Sequence, residues 1–159
     1  MIHISKHSGI YTLTVMQELP IGLPEAWEFF SSPANLEKIT PEHMGFRITS
    51  GVPETMYPGQ IISYKVSPIP GIKANWVTEI TQVEKGKFFV DEQRFGPYSM
   101  WHHEHHFEEK DGSVIMTDKI SYKIPLGILG HLAHVLFVKR QLTAIFKHRI
   151  KVLEEKFER

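Results

Sequence analysis

The chain has no cysteine. That absence excludes disulfides, thiolate catalysis and cysteine-ligated zinc, and it fits a reducing, cytoplasmic setting. It also lacks an excess of either charge: 18 Lys and Arg stand against 18 Asp and Glu, for a formal net charge of zero. A nucleic-acid-binding domain needs a basic face, so nucleic acid is not an expected partner. Long apolar runs are missing too. The most apolar stretch, Ile124 to Val138, is interrupted by Gly127, Gly130, His131 and His134. It is too short to span a bilayer, so stable membrane insertion is not expected. There is no phosphate-cradling glycine loop and no serine nucleophile elbow. The opening residues MIHISKHSG lack a basic-then-apolar leader. No repeat, low-complexity tract or linker divides residues 1–159, which read as a single domain long enough to bury a core.

What is present is clearest between Lys87 and Pro125. This stretch reads as three antiparallel strands over 87–95, 99–110 and 113–124. Asp111-Gly112 is a strong two-residue hairpin signal, because both residue types tolerate the positive φ of such a turn. With that loop, Phe107 faces Met116, His105 faces Asp118, His103 faces Ile120 and Trp101 faces Tyr122. Alternation puts these pairs on one face and leaves His102, Glu104, His106, Glu108, Thr117, Lys119 and Lys123 on the other. The inward face is therefore apolar and aromatic, with His103, His105 and Asp118 set into it. Inward charge is costly unless paired, and a histidine opposite an aspartate pairs it.

In chain order, 9–18 alternates as a strand. Pro24 opens a short helix (PEAWEFFSS) with Ala26, Trp27 and Phe30 as core candidates, and Ser32 caps a second short helix, PANLEKITP. Strands follow at 45–50, 60–67 and 73–84, the second broken by Pro68, Pro70 and Gly71. A two-residue Lys85-Gly86 turn sets Ile80 opposite Asp91, Thr78 opposite Gln93 and Trp76 opposite Phe95. A three-residue Gly96-Pro97-Tyr98 loop is preferred over a two-residue one, because only then does one face collect Trp76, Ile80, Phe89, Phe95, Trp101, Phe107, Met116, Ile120 and Tyr122. A long helix from Gly127 or Gly130 to Phe157 carries Leu132, Val135, Leu136, Leu142, Ile145, Phe146, Ile150, Leu153 and Phe157 at helical spacing. Lys139, Arg140, Lys147, Lys151, Glu154 and Glu155 take the opposite surface.

The expected fold is α+β: a curved antiparallel sheet of about seven strands around a long C-terminal helix, with two short helices after the first strand. This layout resembles the helix-grip, START-like superfamily of birch-pollen-allergen-like proteins, polyketide cyclases and lipid-transfer domains. The residues that carry the resemblance are Trp76, Asp91-Glu92-Gln93, Gly96-Pro97, Trp101-x-His103-x-His105-x-Phe107, Asp118, Tyr122, Pro125 and Ile145-Phe146. They are most similar to a bacterial, cell-division-inhibitor-like branch, some members of which are fused to sugar-epimerase-like domains. The resemblance implies a cavity between sheet and helix for a small hydrophobic or amphipathic ligand, such as a lipid, quinone or polyketide. The chain departs from the plant-allergen pattern at GVPETMYPG, and no cyclase catalytic set carries over.

The expected ligand-binding residues are Trp76, Phe89, Asp91, Gln93, Phe95, Trp101, His103, His105, Met116, Asp118 and Tyr122. The expected role is a non-enzymatic carrier, a monomer or weak homodimer, without cofactor or metal. His103, His105 and Asp118 read as a register-fixing polar network, or as an acid/base set in which Asp118 orients His105 for cyclase- or dehydratase-type chemistry. His103 and His105 with Asp91 or Asp118 also spell a two-His, one-carboxylate metal set, which plain polar packing outweighs. Met56, Tyr57 and Pro58 either cap an entrance or form an ordinary connection. Lys139, Arg140, Lys147, His148, Arg149 and Lys151 read first as a solvated helix face, and second as a membrane contact. A protein-interaction module is the remaining reading. Strands 10–18 and 45–50 are the expected sheet edges.

Overall fold

The computed structural model describes residues 1–51, 55–69 and 71–158. Val52–Glu54 in the GVPETMYPG connection, and the expected strand breaker Pro70, lie outside them. Eight strands make one antiparallel sheet: β1 (Ile2–His7), β2 (Ile10–Leu19), β3 (Arg47–Ile48), β4 (Gln60–Ile69), β5 (Ile72–Glu84), β6 (Phe88–Phe95), β7 (Met100–Lys110) and β8 (Ser113–Lys123). The order across the sheet is β1-β2-β8-β7-β6-β5-β4-β3. Two short helices, α1 (Leu23–Phe30) and α2 (Pro33–Lys38), follow β2. The C-terminal helix runs as α3 (Gly127–Ala133), a π-helical turn (His134–Val138) and α4 (Lys139–Phe157).

The strand absent from the sequence reading is β1. It hairpins onto β2 through Ser8 and Gly9, both at positive φ (50° and 79°). Strand 10–18 is therefore not an edge; β1 and β3 are. β3 is also two residues long where 45–50 was expected, because Gly45 turns left-handed after a short 3₁₀ helix, Glu42–Met44.

The β7–β8 register agrees with the reading from Asp111-Gly112: Trp101 pairs with Tyr122, His103 with Ile120, His105 with Asp118 and Phe107 with Met116. β6–β7 has the register expected from a three-residue loop, pairing Asp91 with His103 and Phe89 with His105, although pairing stops at Glu92 and His102 and four residues, 96–99, separate the strands. The β5–β6 hairpin differs. Glu84 pairs with Phe88, so its loop has three residues rather than two, and a bulge at Thr81 restores Ile80 opposite Asp91. Bulges shift one strand by a residue, which here returns Asp91 to the inner face. A second irregularity sets Val77, not Trp76, opposite Phe95, and Phe95 is 66% exposed.

The core has two main parts. Leu19, Ala26, Trp27, Phe29, Phe107, Val114, Met116, Leu153 and Phe157 pack where α1 meets the end of α4. Tyr11, Leu13, Val15, Ile120, Tyr122, Leu142 and Phe146 pack where α4 crosses β2 and β8. Ser32 stands at the start of α2 but makes no side-chain cap bond. The N-terminal half of the C-terminal helix inverts the expected pattern. Leu132, Val135 and Leu136 are exposed, whereas Gly130 and His134 are buried. Gly130 is required there, because a Cβ would collide with the Pro125 carbonyl.

Candidate ligand-binding site

Between α4 and the strands β3–β7 lies a cavity of about 180 Å³, which residues of α1 and α2 also line. Its walls are largely apolar: Phe29, Phe30, Leu36, Ile39, Met44, Phe46, Met56, Ile62, Trp76, Ile80, Phe89, Trp101, Leu142, Ile145 and Phe146. Sheet curvature opens this space. One helix cannot fill the concave face, and the remaining gap falls where β5, β6 and β7 present alternate side chains inward.

One polar cluster interrupts the apolar lining. His103 Nε2 donates to Asp118 Oδ1 at 2.8 Å, and His105 Nε2 donates to Asp91 Oδ2 at 2.7 Å. His105 Nδ1 lies 2.9 Å from Asp118 Oδ1, but off the line of a ring N–H, so it is an ion-pair contact rather than a hydrogen bond. The two imidazoles overlap, with centroids 3.7 Å apart. Arg149 reaches down from α4, with Nη1 3.5 Å from Asp118 Oδ2 and its guanidinium over the Phe146 ring. Thr78 Oγ1 sits 3.5 Å from Asp91 Oδ1.

Burial and charge compete in this cluster. Burial opposes ionisation of Asp118, but the hydrogen bond from His103, the close contact with His105 and the Arg149 charge win, holding its carboxyl well below the usual range. Asp91 is lowered against burial by both histidines and Arg149. Burial pushes His103 down, and the neighbouring His105 adds to that. His105 is also opposed by burial, yet its contacts with Asp118 and Asp91 raise it. Two carboxylates held ionised are thus faced by Arg149 and by His105, which they push toward its protonated form, while His103 is pushed toward its neutral form. Burying carboxylates is tolerable where cations and N–H donors face them.

Of the expected ligand-binding residues, the structure brings Trp76, Phe89, Asp91, Trp101, His103 and His105 to the cavity wall. Asp118 stands behind the histidines and is 3% exposed. Gln93 instead clasps the 96–98 loop: its Nε2 donates to Tyr98 O at 2.7 Å and its Oε1 accepts from Tyr98 N at 3.1 Å. Phe95 points to solvent, Met116 belongs to the α1 core, and Tyr122 is sealed against His134. Of the loop residues, Met56 lines the cavity, while Tyr57 is exposed.

The sequence reading placed Arg149 on the solvated helix face. It is 7% exposed and lines the cavity. The signal was available: Arg149 stands three residues after Phe146 and four before Leu153, on the buried stripe of α4. Tyr64, Thr78 and Tyr98 were also missed. Tyr64 is held protonated by burial and then by the Asp91 charge.

Asp91, His103 and His105 offer ligand atoms within 4.8 Å of one another, a two-His, one-carboxylate arrangement. Its fit to a divalent ion is poor. His105 Nε2 already bonds Asp91 and His103 Nε2 already bonds Asp118, and the Arg149 cation stands against the Asp118 carboxylate.

No protein-family model matches the chain, and no curated protein sequence does. Solved structures do. A START superfamily protein from Mycobacterium smegmatis is 14% identical and superposes with a TM-score of 0.68, over 92% of this chain and 97% of that one. Ara h 8.0201 is 14% identical with a TM-score of 0.60, over 92% and 99%. A nucleoside-diphosphate sugar epimerase from Corynebacterium glutamicum is 19% identical with a TM-score of 0.64. That match covers 91% of this chain but 29% of the epimerase. At these identities the likeness establishes the fold.

Proposed function

We propose that this chain, whose fold is that of START-like and Bet v 1-like proteins, binds a small ligand with an apolar, ring-sized body and an oxygen acceptor. The observation that carries the reading is a pair of unpaired donors. Trp76 Nε1 and Arg149 Nε are buried without a hydrogen-bond partner among the described residues, and both residues line the otherwise apolar cavity. Buried donors without partners are rare and call for an explanation. A carbonyl, phenol or carboxyl oxygen brought by a ligand supplies one. The volume suits a single ring: an apolar cavity of about 150 Å³ takes up benzene. A longer tail would leave through the α2–β3 side, where Pro33, Phe46 and Ile48 are partly exposed.

The test is a titration followed by the fluorescence of Trp76 and Trp101, whose rings meet edge-on at 5.2 Å in the cavity wall. Single-ring phenols and benzoquinones should bind saturably, about tenfold or more tighter than toluene, since a charged donor strengthens a hydrogen bond. Equal affinity for toluene, or no saturable binding at all, would remove the reading.

A second reading rests on the two histidines. Their pKa values are pushed in opposite directions at one cavity wall, the pattern that assigns an acid and a base. In cyclase- or dehydratase-type chemistry His105 would be the acid and His103 the base. His105→Gln should then abolish turnover of a bound ligand while leaving its binding within a few-fold. Unchanged turnover excludes this reading and leaves the binding one intact.

A further inference from the structure

The N-terminal half of the C-terminal helix is built inside out. Ordinary surface helices bury leucine and expose polar groups. Here the buried side is polar. His134, 3% exposed, stacks on Tyr11 with centroids 3.6 Å apart and shares a 2.8 Å hydrogen bond with Tyr122 Oη. His131 bonds Tyr11 Oη and lies 3.2 Å from Lys6 Nζ. The histidines thus fasten the segment to the sheet, and the aliphatic side faces out. Ile128 is 89% exposed, and Leu126, Leu129, Leu132, Val135 and Leu136 are each more than half exposed. Leu126 also has φ of 71°, a left-handed conformation that suits glycine and that leucine rarely adopts. A large apolar side chain held there, 77% exposed, is hard to explain by folding. Contiguous exposed apolar surface of this kind marks an interaction site.

Charge selects the occupant. The chain is neutral overall, yet between Lys119 and Leu153 it has no Asp or Glu and seven basic residues: Lys119, Lys123, Lys139, Arg140, Lys147, Arg149 and Lys151. All but Arg149 are exposed. Lys123 precedes the apolar segment, and Lys139 and Arg140 follow it. Lys139, Arg140 and Lys147 together line a shallow recess on the same helix. Outward aliphatic side chains bordered by cations match an anionic bilayer surface, where the apolar groups enter the headgroup region and the cations meet phosphates.

We propose that Leu126–Arg140 docks the protein reversibly on anionic lipid surfaces. No helix of the described residues is long and apolar enough to cross a membrane, so the contact is peripheral. The proposal does not depend on the ligand assigned to the cavity.

The full chain should co-sediment with vesicles of phosphatidylcholine containing about one-third phosphatidylglycerol, and not with phosphatidylcholine alone. Two variants, each checked by thermal unfolding, divide the contributions. Lys139→Glu with Arg140→Glu should weaken partitioning by at least about tenfold. Leu132→Ser with Leu136→Ser should weaken it by about as much. Failure of the parent protein to bind anionic vesicles would overturn the proposal. So would undiminished binding by the serine variant, which would make the attraction ionic alone. Light scattering supplies the third way to overturn it: a parent dimer that the serine variant makes monomeric would give this face to a second copy of the chain.

Discussion

Replacing Arg149 with methionine probes the polar cluster most sharply. Asp91 and Asp118 are held ionised, and they are faced by the Arg149 guanidinium and by His105, whose pKa they raise. Methionine keeps the packing against Phe146 but removes the permanent cation that faces Asp118. Removing one partner of a buried ion pair costs about 3–5 kcal/mol. The 3.5 Å contact to Asp118 is not a tight bidentate pair, so the lower end, about 3 kcal/mol, is expected at pH 8. The loss should shrink in acid. Without Arg149 the neighbouring carboxylates favour a proton on His103, which the wild type pushes toward its neutral form. A histidine with a raised folded-state pKa contributes stability that is present below its unfolded value near 6.5 and is lost as pH rises through the folded value. The wild-type His103 has the opposite sign, because its folded value is lowered. Arg149→Met should therefore cost about 1–2 kcal/mol less at pH 6 than at pH 8. Urea unfolding at the two pH values measures this. A pH-independent cost below about 1 kcal/mol would refute the pairing of Arg149 with these buried carboxylates.

Further outcomes follow from other sites. Gly130→Ala should destabilise by about 2–3 kcal/mol in thermal or urea unfolding, since the added Cβ meets backbone that cannot step aside. Gly96→Ala should cost only about 1 kcal/mol, because the Cβ meets the end of the flexible Gln93 side chain. The loss should show as faster amide exchange at Tyr98, whose N–H bonds Gln93. His134 is pushed down to about 4 by burial and then by nearby cations, so unfolding takes up a proton between that value and about 6.5. Its contribution, present above about pH 6.5, should fade by at most about 2 kcal/mol at pH 5, and His134→Gln should flatten that part of the stability–pH curve.

The fold was legible where local chemistry and pattern agreed. Asp111-Gly112 set the β7–β8 register, and the inward alternation of β6 and β7 brought Asp91, His103 and His105 to one face. The β5–β6 pairing near Asp91 came out as expected for an incomplete reason: an unrecognised extra loop residue was cancelled by the Thr81 bulge, which periodicity does not reveal. Phe95 went astray because the next irregularity was also invisible. On the C-terminal helix, spacing shows that a stripe exists but not which side faces the sheet. Leu132 and Leu136 therefore read as core, when His134 and the tyrosines of β2 and β8 hold the inward side. Arg149 was misread by the same habit of sending charge outward, although its position on the Phe146–Leu153 stripe placed it inside.

Native mass spectrometry of gently purified protein, beside an Ile145→Trp variant that fills the cavity, tests the central claim most directly. Ile145 lines the cavity without belonging to the fully buried core, so the variant should stay folded. A one-to-one apolar adduct that carries an oxygen acceptor, or that forms on adding a single-ring phenol, and that the variant lacks, is the predicted result. A parent protein that stays free of adduct with every such compound, or a variant that retains the adduct undiminished, would contradict ligand binding in this cavity.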